Sequence, residues 1–388
     1  MARTTAAALT FGLTEEQREL SAMCRDFAEA EIAPHALEWD ENHHFPVDVI
    51  KAAGELGMGG IYVSEDNGGS GLGRMDAALI FEALSTGCPS VASYMSIHNM
   101  VAWMLDRYAS PEQQEKWLTP LTSFDKLGSY CLTEPNAGSD AAAIRTSARR
   151  DGDDYVLNGV KQFISGAGET DIYLVMARTG QEGARGISTF VVEKGTEGLT
   201  FGANEKKMGW RAQPTRQVFM ENMRVPAGNL IGEEGQGFKI AMSGLDGGRL
   251  NIGACSIGGG QAALEKAIAY MGERQAFGTD LTGFQALRFE VADMQAKLEA
   301  ARSMLWRAAA AYDAQDPNTS LLSAMAKLTA TDTGFEVADR ALQLFGGYGY
   351  LQEYGIEKLV RDLRVHRILE GTNEIMRVII SRKSTGVA

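Results

Sequence analysis

With 388 residues, 45% of them hydrophobic, the chain is long enough for two or three domains with ample core. Its 37 basic and 50 acidic residues give a net charge of −13, which argues against a nucleic-acid or anionic-membrane partner, since both demand positive surfaces. A local basic pocket for an anionic ligand remains compatible with that total.

Along the chain, residues 14 to about 120 read as helix after helix. Thr14-Glu15-Glu16-Gln17 has the form of a capping box, and Leu20, Met23, Cys24, Phe27 and Ile32 follow at helical spacing up to Pro34. Phe45-Pro46-Val47-Asp48 opens a second helix, which ends at Gly57. The glycine-rich stretch 66–73 lacks the G-x-G-x-x-G spacing and a strand before it, so it is no dinucleotide fingerprint. Met75 to Thr86 and Val91 to Tyr108 are two more helices.

The pattern changes near Phe124. Up to about Ile231 it consists of short alternating runs with turn signals. Tyr155-Val156-Leu157, then Asn158-Gly159, then Val160 to Ile164 reads as a hairpin with an Asn-Gly turn. Ile172 to Ala177, Ile187 to Val192 and Thr215 to Met220 are further strands. After Gly232 helices return: Phe238 to Tyr270, Gly283 to Tyr312, Leu321 to Phe345 and Thr372 to Arg382, which suggests an antiparallel bundle. The expected division is 1–123 helical, 124–232 β and 233–388 a four-helix domain, an α+β chain overall.

Cys24, Cys88, Cys131 and Cys255 form no C-x-x-C, which fits free thiols in a reducing compartment. Five histidines without H-E-x-x-H argue against a histidine metal site, and lone His98 and His366 suit packing or hydrogen bonding. The apolar runs fall short of a membrane span, and Met1 to Leu13 lacks the apolar core of a secretory signal.

The chemistry is expected near the C-terminus. In Arg367-Ile368-Leu369-Glu370-Gly371-Thr372-Asn373-Glu374, an apolar pair runs into a carboxylate on a short connector before a helix. Thr372 suits the N-cap and Glu374 the first turn. A carboxylate held against apolar neighbours loses hydration, so its pKa rises and it can take a proton near neutrality. The plainer reading is a carboxylate that only complements a helix end. Tyr130-Cys131-Leu132-Thr133-Glu134-Pro135 and Ser139 offer donors for a flat heterocycle with a phosphate tail, or form an ordinary polar turn. Phe163 and Ser165 share one strand face, where a flat ligand could stack, or Phe163 is one core aromatic. Asp246-Gly247-Gly248-Arg249 interrupts a helical pattern at about 1 kcal/mol per glycine, hinting at a close approach or a plain kink. Arg274-Gln275-Ala276-Phe277-Gly278 and Gln343-Leu344-Phe345-Gly346-Gly347 end two helices in ordinary glycine caps.

Taken in order, these motifs resemble the acyl-CoA dehydrogenase family over essentially the whole chain. They are Y-C-L-T-E-P-x-x-G-S-D, F-I-S-G-A, L-x-G-G-R, R-x-x-F-G, Q-x-x-G-G-x-G-Y and L-E-G-T-N-E. The resemblance is strongest to the branch acting on short branched acyl-CoAs. It implies three domains, a homotetramer, one FAD per subunit, α,β-dehydrogenation of an acyl-CoA and an electron-transfer flavoprotein as partner. It casts Glu370 as the catalytic base. Tyr130, Leu132, Thr133, Ser139, Phe163, Ser165, Arg274, Phe277, Gln285, Gln343, Gly346, Gly347, Thr372 and Glu374 match FAD positions, some of them across a subunit interface. Ser139, Asp246, Arg249 and Arg382 match substrate positions, although close relatives often carry Asn where Asp246 stands. Some members take their base from a slot that here is Gly248, which cannot act. Isobutyryl-CoA is the expected substrate, with 2-methylbutyryl-CoA and straight short chains as rivals. An oxygen-using acyl-CoA oxidase and a non-catalytic CoA-ligand binding protein are the alternatives in kind. The expected compartment is a bacterial cytoplasm or, for a processed form, the mitochondrial matrix.

Overall fold

Thr14 caps the first helix, α1 (Glu15–Phe27), in the predicted box: its hydroxyl accepts the Gln17 N–H at 3.2 Å and the Gln17 side chain accepts the Thr14 N–H at 3.2 Å. The computed structural model describes residues 10–386. Residues 1–9, most of the segment read as lacking a secretory signal, lie outside the described residues, as do 387–388. Two further helices, α2 (Arg74–Gly87) and α3 (Pro89–Tyr108), are buried on nearly every side, as all-round apolar helices must be. Buried His98 on α3 links the helices to the β region. Its Nε2–H donates to Leu121 O at 3.0 Å and its Nδ1 accepts the Gly128 N–H at 3.1 Å. A short helix at Ala36–Glu41 escapes the sequence reading.

The β region is one eight-stranded sheet. Its strands are β1 (Gly128–Cys131), β2 (Ser147–Asp151), β3 (Asp154–Ser165), β4 (Ile172–Arg178), β5 (Ile187–Glu193), β6 (Leu199–Phe201), β7 (Thr215–Pro226) and β8 (Leu230–Ile231). The order is β6-β7-β3-β2-β4-β5-β8, with β1 added parallel to β4. Helix side chains cover one face, and a second core of Tyr155, Leu157, Tyr173, Phe190 and Val218 fills the other.

The expected Asn-Gly hairpin turn is absent. β3 runs straight through Asn158 and Gly159, and the turn is two residues, Gly152 and Asp153, between paired Asp151 and Asp154. Gly159 instead sits at a register shift against β7, where a Cβ would come within 2.4 Å of the Thr146 hydroxyl. Close backbone approach, not a turn, asks for glycine there.

The last third holds α4 (Gly237–Glu273), α5 (Gln285–Asp313), α6 (Thr319–Leu344), α7 (Ile356–Arg364) and α8 (Asn373–Thr385). Helix α7 was not expected. The anticipated break at Gly247-Gly248 is also corrected, since α4 is continuous through it. The two glycines admit side chains from other elements: a Cβ at Gly247 would meet the Arg74 guanidinium at 2.6 Å, and one at Gly248 would meet Glu370 Oε2 at 2.5 Å. A small apolar cluster of Ile97, Trp210 and Ile252, with Tyr130, Val365 and Leu369 against it, joins α3, β1, the β6–β7 link, α4 and the connector before Glu370. All four cysteines are free and buried. Among the described residues no helix is long and apolar enough to cross a membrane, and no group of side chains could hold a metal ion.

Candidate active site

The connector between α7 and α8 is built around backbone that few residues adopt. Glu370 has φ of +56° and Gly371 +89°. A non-glycine residue there costs about 1–3 kcal/mol and persists only where its surroundings hold it. Four contacts hold this one. Arg249 Nε donates to Glu370 O at 3.3 Å, and Lys327 Nζ donates to Gly371 O at 2.8 Å. Lys327 Nζ also donates to Asn373 Oδ1 at 2.9 Å. Thr372 caps α8, its hydroxyl accepting the Ile375 N–H at 3.2 Å.

The Glu370 carboxylate lies over Gly248. Its Oε2 is buried with no hydrogen-bond partner among the described residues, and the Glu370 N–H finds no acceptor among them. Burial pushes the carboxyl up to about 7, against the opposing pull of Arg249 and Lys327. Tyr130 presents a second buried oxygen without a partner among the described residues, and burial raises its hydroxyl well above the usual range, with the Glu370 charge adding to the effect. Orphaned buried polar atoms are costly. A donor, an acceptor and a base left unpaired near one another call for a polar ligand.

Asp246 and Arg249 are one turn apart on α4 and paired with each other, and Ser320 Oγ donates to Asp246 at 3.3 Å. Burial raises the Asp246 carboxyl, with Arg249 lowering it. Arg249, expected at a substrate position, is therefore turned inward to hold the base's own backbone.

Leu132 and Thr133 leave the end of β1. They are pinned by a buried ion pair, Lys161 to Glu134 at 2.7 Å, with Lys161 also donating to Leu132 O at 3.0 Å. Glu134 further accepts the Arg145 and Thr146 N–H groups at 2.6 and 2.9 Å. The Thr133 carbonyl accepts the Gln162 N–H at 2.8 Å, tying this end to β3. Ser165 closes β3, its hydroxyl accepting from Gln213 Nε2 at 3.3 Å, and Gln213 Oε1 is a further buried orphan. Phe163 has φ of +59° and is 64% exposed, a strained and unburied aromatic that a flat ring would cover. This ledge, with its orphaned polar atoms, fits a flavin ring. Thr133, Phe163 and Ser165 would hold it from the β side.

Other expected residues lie elsewhere. Arg274, Gln343, Gly346 and Gly347 line a separate open cleft of about 710 Å³, where the Arg274 guanidinium stands 5.2 Å over the Tyr348 ring. Phe277 is 97% exposed at φ of +51°, and Gln285 starts α5 in solvent. Ser139 is exposed on the loop after β1, and Glu374 is exposed in the first turn of α8. Arg382 lies nine residues beyond Asn373 on the same helix, about 14 Å along its axis. No hydrogen bond or ion pair among the described residues joins it to Glu370.

Sequence reasoning missed Lys327. A lysine in the buried stripe Ser323, Lys327, Thr331 and Gly334 of α6 was a readable signal, because a buried face does not call for an ammonium. His366, read as a packing or hydrogen-bonding residue, makes hydrogen bonds as expected. Its Nε2 accepts from Trp210 Nε1 at 3.1 Å and its Nδ1–H donates to Ser256 Oγ at 2.7 Å.

Residues 14–125, 129–223 and 235–385 match the N-terminal, middle and C-terminal domains of acyl-CoA dehydrogenase. The chain belongs to the acyl-CoA dehydrogenase family. It is 54% identical to the mitochondrial isobutyryl-CoA dehydrogenase of Dictyostelium discoideum and 53% identical to that of Bos taurus, in each case over 96% of this chain and 90% of the relative. Among solved structures it resembles the butyryl-CoA dehydrogenase of Megasphaera elsdenii at 38% identity and a TM-score of 0.93, covering 97% of this chain and all of the other. As an acyl-CoA dehydrogenase it is an FAD-dependent oxidoreductase.

Proposed function

We propose that this acyl-CoA dehydrogenase oxidises a short branched thioester, isobutyryl-CoA first among them, to the α,β-unsaturated product, with Glu370 removing the α-proton. The observation that carries this reading is the Glu370 carboxylate over Gly248, its Oε2 buried and without a partner among the described residues, raised to about 7 by burial. An α-hydrogen of a thioester is only weakly acidic, so the base needs both desolvation and a donor at the carbonyl oxygen. The free Glu370 N–H supplies a donor next to the base. FAD, when bound, supplies the acceptor for the β-hydride. Thr133, Phe163 and Ser165 hold and orient that partner, while Arg249 and Lys327 keep the base connector in place.

The two isobutyryl-CoA dehydrogenases above support the branched substrate. One methylene in an apolar pocket is worth about 1–3 kcal/mol, so 2-methylbutyryl-CoA and butyryl-CoA are close competitors. The exposed cleft at Arg274, Gln343 and Gly346 suits cofactor contacts completed by a second subunit, and a homotetramer is part of this reading. So are the folding units 1–123, 124–232 and 233–388, an electron-transfer flavoprotein as acceptor, and a bacterial cytoplasm or mitochondrial matrix as location.

The test is anaerobic bleaching of the FAD-loaded protein by a panel of acyl-CoAs, repeated with Glu370→Gln. Isobutyryl-CoA should bleach fastest, and the variant should keep yellow colour and ligand binding yet lose turnover by at least a thousandfold, on the order expected when the proton acceptor itself is removed. Substantial turnover in Glu370→Gln refutes the base. Faster bleaching by butyryl-CoA refutes the branched preference.

A further inference from the structure

Two successive carbonyls of the base connector, those of Glu370 and Gly371, are each held by a cation from a different helix: Arg249 of α4 and Lys327 of α6. The two cations are not equivalent. Arg249 is already ion-paired with Asp246, whereas Lys327 makes no ion pair among the described residues. Lys327 is fully buried, and its other partner is the neutral Asn373 amide. Asn373 in turn donates to Thr331 Oγ1 at 3.0 Å and Asp332 Oδ1 at 2.9 Å. Burying an ammonium without a carboxylate is expensive, and a methionine of similar length would pack the same stripe without that cost.

The connector explains what the cost secures. Glu370 is held in a left-handed conformation, and its carboxylate has no hydrogen bond at Oε2 to fix it. Only the backbone on either side can keep that carboxylate over Gly248. We propose that Lys327 is a positioning residue of the active site: it locks residues 370–373 through the Gly371 carbonyl and Asn373. The proposal rests on the reading of Glu370 as the base.

The charged and titratable groups around the pair are few. Arg249 on α4 and Tyr130 on β1 face Glu370. Arg249, Asp332 and Glu374 act on Lys327, and Asp332 is itself paired with Arg367 at 2.7 Å. His366 lies close enough for Lys327 to depress it, and burial already holds it neutral at about 3. Burial pulls the lysine down to about 7 while the Glu370 charge pulls it up, so each member of the pair favours the charged form of the other.

The test compares Lys327→Met, Lys327→Arg and Glu370→Gln as FAD-loaded proteins. Three quantities are read: FAD content, hydrogen exchange of the peptide 368–376, and the rate of acyl-CoA-driven flavin reduction from pH 5.5 to 9. Removing the cation should lower the reduction rate at least tenfold, affect kcat more than KM, speed exchange in 368–376, and move the acid limb of the profile up by about one pH unit. Lys327→Arg should leave the acid limb in place. An acid limb and an exchange rate in Lys327→Met equal to those of the parent protein overturn the proposal, whatever the FAD content. Should that variant fail to fold, Asn373→Ala removes one anchor and keeps the charge; faster exchange at 368–376 and a slower rate support the lock, and unchanged values overturn it. Turnover in Glu370→Gln sinks the base assignment itself, whereas a dead Glu370→Gln beside an unshifted Lys327→Met sinks only the role of the lysine.

Discussion

Gly248 shows how a residue without a side chain determines what another residue can do. It lies inside a continuous helix, where alanine would be preferred by about 1 kcal/mol. The missing Cβ leaves room for the Glu370 carboxylate, whose Oε2 would otherwise stand 2.5 Å away and whose Cδ would stand 2.9 Å away. The obstructed atoms belong to the far end of a flexible side chain, so the helix can accept a methyl by displacing the carboxylate. Gly248→Ala should therefore fold normally, with stability equal to or up to about 1 kcal/mol above the parent, while losing at least tenfold in kcat. Melting temperature and anaerobic reduction rate measured together check this. A fall in stability matched by intact kcat would show that the carboxylate does not need the space.

At the scale of elements, the end of β1 is held by charge rather than by the sheet ladder alone. Lys161 is fully buried and pairs with Glu134, which also gathers two backbone N–H groups. Burial pulls Lys161 down and Glu134 holds it up, while Lys161 and the two N–H groups keep the Glu134 carboxyl below its usual range against its burial. Lys161→Met should cost about 3 kcal/mol by stranding Glu134, and Lys161→Met with Glu134→Gln should recover part of it. Urea denaturation of the single and double variants measures both, and FAD retention should fall with the single variant as Leu132 and Thr133 loosen. Much of this architecture was legible in the chain. The Thr14 box, the strands read at 172–177 and 187–192, and the capped start of α8 follow from local chemistry, and the six ordered motifs carry the family. The two misread glycine-containing pairs share one cause. Asn158-Gly159 and Gly247-Gly248 look like turns or breaks locally, but their glycines answer to Thr146, Arg74 and Glu370, which are distant in sequence and adjacent in space. Lys327 was readable as an odd buried lysine, but what it holds was not, since its partners at Gly371 and Asn373 lie more than forty residues away.

For the whole molecule, three buried titratable groups set opposing dependences on acidity. Burial depresses His98 to about 4 and His366 to about 3, so both are neutral when folded but take up protons near 6.5 once unfolded. Their contribution is complete above pH 6.5 and is lost as the pH falls toward 4. Glu370 runs the other way. Its folded value is raised to about 7, so between about 4.5 and 7 the native state holds a proton that the unfolded chain has released, and stability is lost as the pH rises through that window. Between pH 4.5 and 6.5 the unfolded chain thus binds two protons at the histidines while the native state binds one at Glu370. The net difference is about one proton, and stability should rise with pH by about 1.4 kcal/mol per unit from these groups. Replacing Glu370 with Gln removes the opposing proton, so the slope over that range should roughly double to about 2.7 kcal/mol per unit. Urea midpoints at half-unit intervals from pH 4.5 to 6.5 test the sign. An unchanged slope in Glu370→Gln would mean that the carboxylate is ionised and solvated in the native state, and that the base pocket is not dry.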